Sequence, residues 1–188
     1  QRNKVFPLDD RLTLARMQAS AGLVPKRDRY TFWGGDLSLP IAATAPLFNR
    51  GFRITADVTI ADGVATGPLM ALGGRFAGWS FYLKEGRPVA LVSVSQHPGD
   101  QFSVSASAPL PAGRATLTYD FRYDGGVNGG GEVIITANGR EVARGRIARS
   151  LSKLVEMTDK LDIGLDSDTP VTDEYPADSR FPGRIDSM

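Results

Sequence analysis

Four stretches of the sequence contain residues that could bind a ligand or carry out chemistry. The first is the glycine-rich run DGGVNGGGEV at 124–133. A phosphate-binding loop needs a strand before it, a helix after it, and a Gly-Lys-Ser/Thr or G-x-G-x-x-G signature. This run has strand-like sequence on both sides and neither signature. It therefore predicts a flexible connection between two strands.

The second stretch holds the single histidine of the chain, His97. A Ser-His-Asp triad or a metal site built on this side chain would need partner residues, and their spacing in the sequence identifies none. The surrounding sequence HPGD at 97–100 is typical of a turn. We therefore expect His97 to be a solvated turn residue rather than a catalytic one.

The third stretch, LDIGLDSDTPVTDEYPAD at 161–178, concentrates carboxylates. Calcium prefers several hard oxygen ligands close together in a loop, which makes Asp162, Asp166 and Asp168 weak metal candidates. The D-x-D-x-D-G pattern with a trailing Glu is missing. We therefore expect no metal here, and we expect these acids to be solvated or to pair with the arginines of 140–149.

The fourth stretch is GGRFAGWSFYLKEGR at 73–87. Its apolar and polar residues alternate, which predicts a strand with glycines at its start, where a bend or bulge needs a missing side chain. Exposed aromatic rings can stack on sugars, so Trp33, Trp79 and Tyr82 are ligand or interface candidates, together with Arg75. Large aromatic residues in a small domain more often lie in the core, and Trp79 fits that description.

The elements that must position these residues are almost all strands. Alternation of period two is strong at 52–60, 101–107 and 114–123, as in half-buried antiparallel strands. Weaker strands are expected at 29–33, 80–84, 88–95, 161–165 and 181–186. Short turns rich in Gly and Pro separate them. The sequence predicts an all-β fold, an antiparallel sandwich or jelly roll, with one short helix within 6–22.

One hairpin is predicted with a register. Asn138-Gly139 lies between two apolar runs, which is the strongest short signal for a two-residue β-turn. Such a loop pairs Ile135 with Val142 and Val133 with Arg144. An arginine on the inner face requires either that the strand end there or that Arg144 meet a carboxylate.

Size and composition exclude several classes of protein. With 188 residues, the chain is expected to form one domain with a short appendage. Its net charge of +1 argues against a nucleic-acid partner, and no apolar run reaches the length of a membrane segment. The absence of cysteine excludes disulfides, thiolate metal sites and cysteine nucleophiles within the chain. The cellular compartment stays open.

Three of these runs, taken in order, also resemble a known family. GGRFAGWSFYLKEGRPV, LPAGRATLTYDFRYDGGVNGGGEVIITANGREVARGRI and LDIGLDSDTPVTDEYPADSRFPGRI resemble segments in the C-terminal part of bacterial arylsulfatases. The resemblance implies a C-terminal β-sandwich of the concanavalin A-like kind at 26–188. It also implies that residues 1–25 are a linker or helical tail of an upstream sulfatase catalytic domain.

The resemblance implies a non-catalytic accessory domain that packs on the catalytic domain and shapes the entrance to its active site. The expected partner is therefore that upstream domain; further copies of the chain and a glycan are the other partners left open. The parent enzyme would use formylglycine and calcium, but this chain has no cofactor and no catalytic residues of its own. The C/S-x-P/A-x-R motif is absent, since both Ser38-Leu39-Pro40 and Ser107-Ala108-Pro109 lack its arginine.

Two other functions stay open. A lectin-like carbohydrate-binding module would use one face of the sandwich and predicts saturable glycan binding. A self-sufficient hydrolase would need two carboxylates facing each other in a cleft.

Overall fold

The computed structural model describes residues 27–41, 44–61, 64–151 and 160–188. The chain divides into two compact units, Gln1–Tyr30 and Thr31–Met188, and the second contains every strand found in the described residues. The helix predicted within 6–22 and the linker predicted at 1–25 lie outside the described residues. Within the described ranges, no helix has the length and apolar character needed to cross a membrane.

The described residues form eleven strands and one short 3-10 turn at Pro98–Asp100. The strands are β1 (Leu37–Pro40), β2 (Phe52–Ile60), β3 (Gly67–Gly74), β4 (Ala77–Lys84), β5 (Arg87–Ser93), β6 (Gln101–Ser105), β7 (Gly113–Tyr123), β8 (Gly131–Ala137), β9 (Arg140–Ile147), β10 (Lys160–Ile163) and β11 (Gly183–Ser187).

These strands form two antiparallel sheets. One sheet has six strands in the order β1-β10-β3-β4-β5-β6, and the other has five in the order β11-β2-β7-β8-β9. Apolar side chains from the inner faces of both sheets form one buried core. The fold is an antiparallel β-sandwich of the concanavalin A-like jelly-roll kind, so the predicted fold class is confirmed.

The five-stranded sheet follows the predicted alternation. In β2, Ile54, Ala56, Val58 and Ile60 are buried in the core, and the residues between them face outward. On that outer face Arg53 of β2 makes an ion pair with Asp120 of the neighbouring β7, at 2.8 Å. The strands predicted at 52–60 and 114–123 are thus confirmed, and one face of this sheet is left to solvent.

The six-stranded sheet is buried on both faces at its centre. Every residue of β3 except Gly73 is buried, and so are all residues of β4 apart from Lys84 at its end. A strand buried on both sides needs no alternation of apolar and polar residues, and β3 has none. This explains why the sequence did not predict β3, although its neighbour β4 was predicted from the alternation around Trp79.

Aromatic rings join the two sheets at the centre of the core. Phe52 and Tyr119 of the five-stranded sheet lie 5.7 Å and 6.4 Å from the Trp79 ring of the other sheet, measured between ring centroids. Phe81 lies 5.6 Å from Tyr119. These separations are in the range of favourable tilted and edge-to-face aromatic pairs. Trp79 is therefore a core residue, as the alternation indicated.

The hairpin at Asn138-Gly139 forms, but its predicted register is wrong by one residue. Ile135 pairs with Ala143 instead of Val142, because a β-bulge interrupts the pairing between Ile135 and Thr136. The bulge turns Arg144 to the outer face, where its guanidinium bonds the carboxylates of Glu132 and Glu141. The shift therefore removes the inward-facing arginine that the simple register required.

Five of the remaining strand predictions overlap strands of the structure, and one does not. The runs 80–84, 88–95, 101–107, 161–165 and 181–186 overlap β4, β5, β6, β10 and β11. The strand predicted at 29–33 does not form, since Trp33 makes only an isolated bridge with Ser187. Residues 124–130 of the glycine-rich run connect β7 and β8, and its last three residues belong to β8.

Candidate functional site

A groove lies on the outer side of the six-stranded sheet, where a loop crosses its face. We call residues 164–176, which follow β10, the covering segment. The groove has a volume of about 490 Å³ and runs between this segment and the outward side chains of β5 and β6. Its lining consists of Arg75, Leu91, Gln96, Pro98, Gln101, Ser103, Val171, Thr172, Asp173 and Glu174.

The covering segment is held to the sheet by a small second core. Val171 and Tyr175 are buried against outward side chains of the sheet, and the Tyr175 ring lies 5.1 Å from that of Tyr82 in an edge-to-face contact. The segment starts at Gly164, whose backbone has a φ of +75°, a conformation that favours glycine. These contacts fix the wall of the groove that the covering segment supplies.

A buried polar network reinforces this attachment. The Tyr175 hydroxyl donates to Asp166 Oδ2 at 2.6 Å and is also hydrogen-bonded to Ser80 Oγ at 2.8 Å. The backbone N–H of Val171 donates to the same Asp166 oxygen at 2.9 Å. Burial raises the pKa of the Asp166 carboxyl to about 6, and the nearby charge of Asp162 adds to the rise.

A second carboxylate lies beneath the start of the segment. Asp162 Oδ2 accepts hydrogen bonds from the backbone N–H and the hydroxyl of Ser167, at 2.7 Å and 2.6 Å. These bonds turn the chain at the point where it leaves β10. Asp168 is exposed and pairs with Lys160 at 2.8 Å. Among the described residues, no group of three or more His, Cys, Asp or Glu side chains is arranged to hold a metal ion.

The far end of the segment is joined to β4 by Glu174. The Tyr82 hydroxyl donates to one carboxylate oxygen of Glu174, and Lys84 Nζ lies 3.0 Å from the other. Burial holds the pKa of the Tyr82 phenol well above its ordinary value, and the hydrogen bond to the negatively charged Glu174 carboxylate raises it further. Tyr82 thus stays protonated and acts as a donor that fixes Glu174 at the edge of the groove.

The opposite end of the groove is formed by the turn between β3 and β4. Arg75 lies in this turn, and its Nη2 is 2.6 Å from Oδ1 of Asp173 on the covering segment. The carbonyl of Arg75 accepts a hydrogen bond from the Ser93 hydroxyl at 2.8 Å, which fixes the backbone below the guanidinium. The next residue, Phe76, is 62% exposed. The turn therefore carries an exposed apolar ring next in sequence to the paired arginine.

The four ligand candidates proposed from the sequence lie in different places. Arg75 lines the groove, whereas Trp79 is in the core between the sheets and Tyr82 is buried beneath the covering segment. Neither aromatic side chain is therefore accessible to a ligand. Trp33 is 75% exposed, beside Ser187 of β11 at an edge of the five-stranded sheet. The structure does not bring Trp33 to the groove lining.

The other sequence candidates do not assemble into a catalytic site. His97 is exposed in the turn that precedes the 3-10 turn, as predicted. The acids of 161–178 do not pair with the arginines of 140–149 in the described residues. Instead, Arg144 bonds Glu132 and Glu141. Arg146 bonds Asp124, and Arg149 bonds Asp100. Glu132 and Glu141 lie on β8 and β9, the two strands of the hairpin that carries Arg144, which places them close to it.

Several groove residues were not identified from the sequence. Gln101 and Ser103 were read as the polar positions of a strand, and that alternation could have indicated an outward polar row. Nothing in the sequence indicated that the acidic run would cross the same face of the sheet. The groove depends on that crossing, because the segment supplies one of its walls.

Comparisons with solved structures find a similar fold in domains of other proteins. The mouse laminin α1 chain, domains LG4-5, is 16% identical over 82% of this chain and 38% of that one, with a TM-score of 0.55. The CBM40 domain of the Ruminococcus gnavus IT-sialidase, bound to α2,3-sialyllactose, is 14% identical over 84% and 86%, with a TM-score of 0.57. The LG1-3 region of the laminin α2 chain is 15% identical over 84% and 29%, with a TM-score of 0.53.

The sequence comparisons give no family. No family model matches the chain, and no curated protein matches it. This chain spans little more than a third of the laminin α1 fragment and less than a third of the laminin α2 fragment. At such low identity the structural likeness establishes the fold alone.

These findings overturn the arylsulfatase prediction. The structural neighbours are laminin LG domains and sialidase CBM40 modules rather than sulfatase domains, so both the family and the role as a sulfatase accessory domain are wrong. The physical reason lies in the runs that suggested the family. They contain strands joined by Gly-rich turns, such as β7, β8 and β9 with their connections, which any antiparallel sandwich of this kind needs.

Proposed function

We propose that this chain is a non-catalytic carbohydrate-binding module whose ligand lies in the groove beside the covering segment. The observation that carries the proposal is the lining of the groove. Side chains with planar amide, carboxylate and guanidinium groups converge there from four parts of the chain: Gln96, Gln101, Arg75 and Asp173. Amides both donate and accept, the carboxylate accepts and the guanidinium donates, so together these groups can bond the hydroxyls of a sugar ring.

The surroundings of the groove support the same class of ligand. Leu91 and the exposed Pro98 are apolar residues of its lining. A sugar presents both hydroxyls and an apolar C–H face, so a mixed lining suits it. The likeness to a CBM40 domain solved with an oligosaccharide gives independent support.

The hydrolase alternative is not favoured by the groove. Among the described residues that line it, the carboxylates are Asp173 and Glu174, which are consecutive in the chain. Glycoside hydrolysis needs two carboxyl groups on either side of the bond that is cleaved. Both carboxylates here also bond cations or a phenol, which leaves neither positioned as a general acid.

The test is glycan binding by the chain and by two variants. The 188-residue chain is applied to an array of immobilised neutral and acidic oligosaccharides, and each hit is titrated by isothermal calorimetry. Gln101→Ala removes an exposed amide from the groove and should weaken binding about tenfold, as loss of a hydrogen bond worth about 1.4 kcal/mol would.

Trp33→Ala is the matched control, since it removes an exposed aromatic side chain outside the groove. It should leave affinity unchanged. Loss of binding in Trp33→Ala with full binding in Gln101→Ala would place the sugar at Trp33 instead. No binding to any member of the array would contradict the function itself.

A further inference from the structure

The charges of the groove are already matched within the protein. Arg75 is bonded to Asp173 at 2.6 Å, and Glu174 is bonded to Lys84 at 3.0 Å and to the Tyr82 hydroxyl. The lining itself contains one cation, Arg75, and two carboxylates. A ligand entering the groove therefore meets balanced or slightly negative charge rather than a free cation.

The position of Arg75 is fixed by contacts on both sides. Its carbonyl is held by the Ser93 hydroxyl at 2.8 Å, and its guanidinium is held by Asp173, whose side chain is 82% exposed. An acidic sugar that used Arg75 would bring its negative charge beside the Asp173 carboxylate, which is already paired with this guanidinium. Whether it stays paired or is displaced, the Asp173 carboxylate would then repel the charge of the sugar.

A neutral sugar meets no such penalty. Its hydroxyls can donate to the Asp173 carboxylate and accept from Arg75 while that pair stays intact. The amides of Gln96 and Gln101 and the hydroxyls of Ser103 and Thr172 offer further donors and acceptors without net charge. The lining therefore matches a ligand that carries hydroxyls and no formal charge.

We propose that the groove binds neutral oligosaccharides, and that Asp173 determines this specificity by occupying Arg75 and repelling anionic sugars. This inference rests on the proposed function, and it names the ligand class of the same site. It also sets this chain apart from the Ruminococcus gnavus module, since the α2,3-sialyllactose bound there carries a carboxylate. The likeness in fold thus does not extend to the charge of the ligand.

The experiment compares native chain and Asp173→Asn on the same array of neutral and acidic oligosaccharides, with lactose and α2,3-sialyllactose as a matched pair in solution. The native chain should prefer neutral members at least about tenfold. Asp173→Asn frees the Arg75 guanidinium and removes the repelling charge, so affinity for acidic members should rise about tenfold. Affinity for neutral members should fall by no more than about threefold, because Asn keeps an acceptor.

Asp168→Asn is the matched control, because it removes one exposed, ion-paired carboxylate outside the groove. It should leave the preference unchanged. Native binding to neutral members should also change less than about twofold between roughly 0.05 and 0.5 M salt. Equal or tighter native binding to acidic members, or an unaltered preference in Asp173→Asn, would overturn the inference while leaving glycan binding in place. Absence of all glycan binding would remove both the proposed function and this inference.

Discussion

Asp166 is a carboxyl group buried where a charge is costly. Its Oδ2 accepts from the Tyr175 hydroxyl and the Val171 N–H, yet burial and the charge of Asp162 raise its pKa to about 6. A raised pKa means that the folded state favours the protonated carboxyl. Its contribution to stability is therefore full below the unfolded pKa near 4 and is lost as pH rises through about 6.

This predicts the effect of Asp166→Asn. The amide oxygen can still accept from Tyr175 and Val171, but the group no longer ionises. From pH 4 to pH 7 the free energy of unfolding of the native chain should lose roughly 2 kcal/mol through this carboxyl, and the variant should not. Urea unfolding of both proteins at pH 4, 5.5 and 7 gives the difference. A constant difference at all three values would contradict the prediction.

Gly78 is a residue whose identity is set by the backbone around it. A Cβ added there would lie 2.6 Å and 2.7 Å from the carbonyl oxygen and nitrogen of Gly74, and 2.8 Å from the Leu72 carbonyl oxygen. These are backbone atoms of paired strands, so they cannot move aside as a flexible side chain can. The glycine allows β3 and β4 to approach at the end of their hairpin.

Gly78→Ala should therefore lower the free energy of unfolding by about 2 kcal/mol or more. Gly99→Ala is the matched control, because nothing lies within 4 Å of a Cβ at that position. It should change stability by no more than about 0.5 kcal/mol. Thermal and urea unfolding of the two variants measure the contrast. Equal losses in both would mean that the close approach at Gly78 does not limit the fold.

At the scale of elements, the covering segment depends on the shared hydroxyl of Tyr175. This group bonds Asp166 on the segment and Ser80 on β4, so it joins the two elements. Tyr175→Phe leaves the buried carboxylate and the serine without this partner and should cost about 1–3 kcal/mol. Ser80→Ala alone should cost less, because Tyr175 keeps its bond to Asp166.

The joint effect is tested by a double-mutant cycle. The double variant should be less destabilised than the sum of the single variants, with a coupling of about 0.5 kcal/mol or more, since the hydrogen bond between the two side chains is lost only once. Urea unfolding of the four proteins measures this. Additivity within about 0.3 kcal/mol would show that the hydroxyl does not link the segment to the sheet.

The elements also show which parts of the structure the sequence could predict. Strands with one solvated face, such as β2 and β7, carry a period-two pattern and were located from it. β3 carries no such pattern, because the covering segment buries its second face. The register of the β8–β9 hairpin depends on a bulge that no sequence pattern signals.

The candidate site was predicted only in part, for the same reason. Arg75 was singled out from its place beside the predicted strand, whereas Asp173 was only one of the acids in the run at 161–178, and nothing local in either stretch relates them. Their meeting at 2.6 Å joins residues 98 positions apart in the chain. The groove arises from this long-range crossing, so it becomes visible only once the path of the covering segment is known.

At the scale of the molecule, the outer faces of the two sheets differ. The outer face of the five-stranded sheet carries cross-strand ion pairs, such as Arg122–Glu132 at 3.1 Å, which leave it polar and solvated. The outer face of the six-stranded sheet is covered at its centre and open beside β5 and β6. Exposed ion pairs add little stability, so the fold depends on the core between the sheets and the small core beneath the covering segment.

This division predicts that the second unit, Thr31–Met188, folds on its own. It contains all eleven described strands, the core between the sheets and every residue that lines the groove. A chain that starts at Thr31 should therefore unfold in one cooperative transition, with a free energy of unfolding within about 1 kcal/mol of the 188-residue chain. It should also bind the same oligosaccharides with the same affinity.

Urea unfolding and calorimetric titration of the two chains side by side provide the measurement, with Gln101→Ala in the shorter chain as the control for groove binding. A shorter chain that lacks a cooperative transition would mean that residues 1–30 are part of the folding unit. A shorter chain that folds but does not bind would mean that they belong to the site.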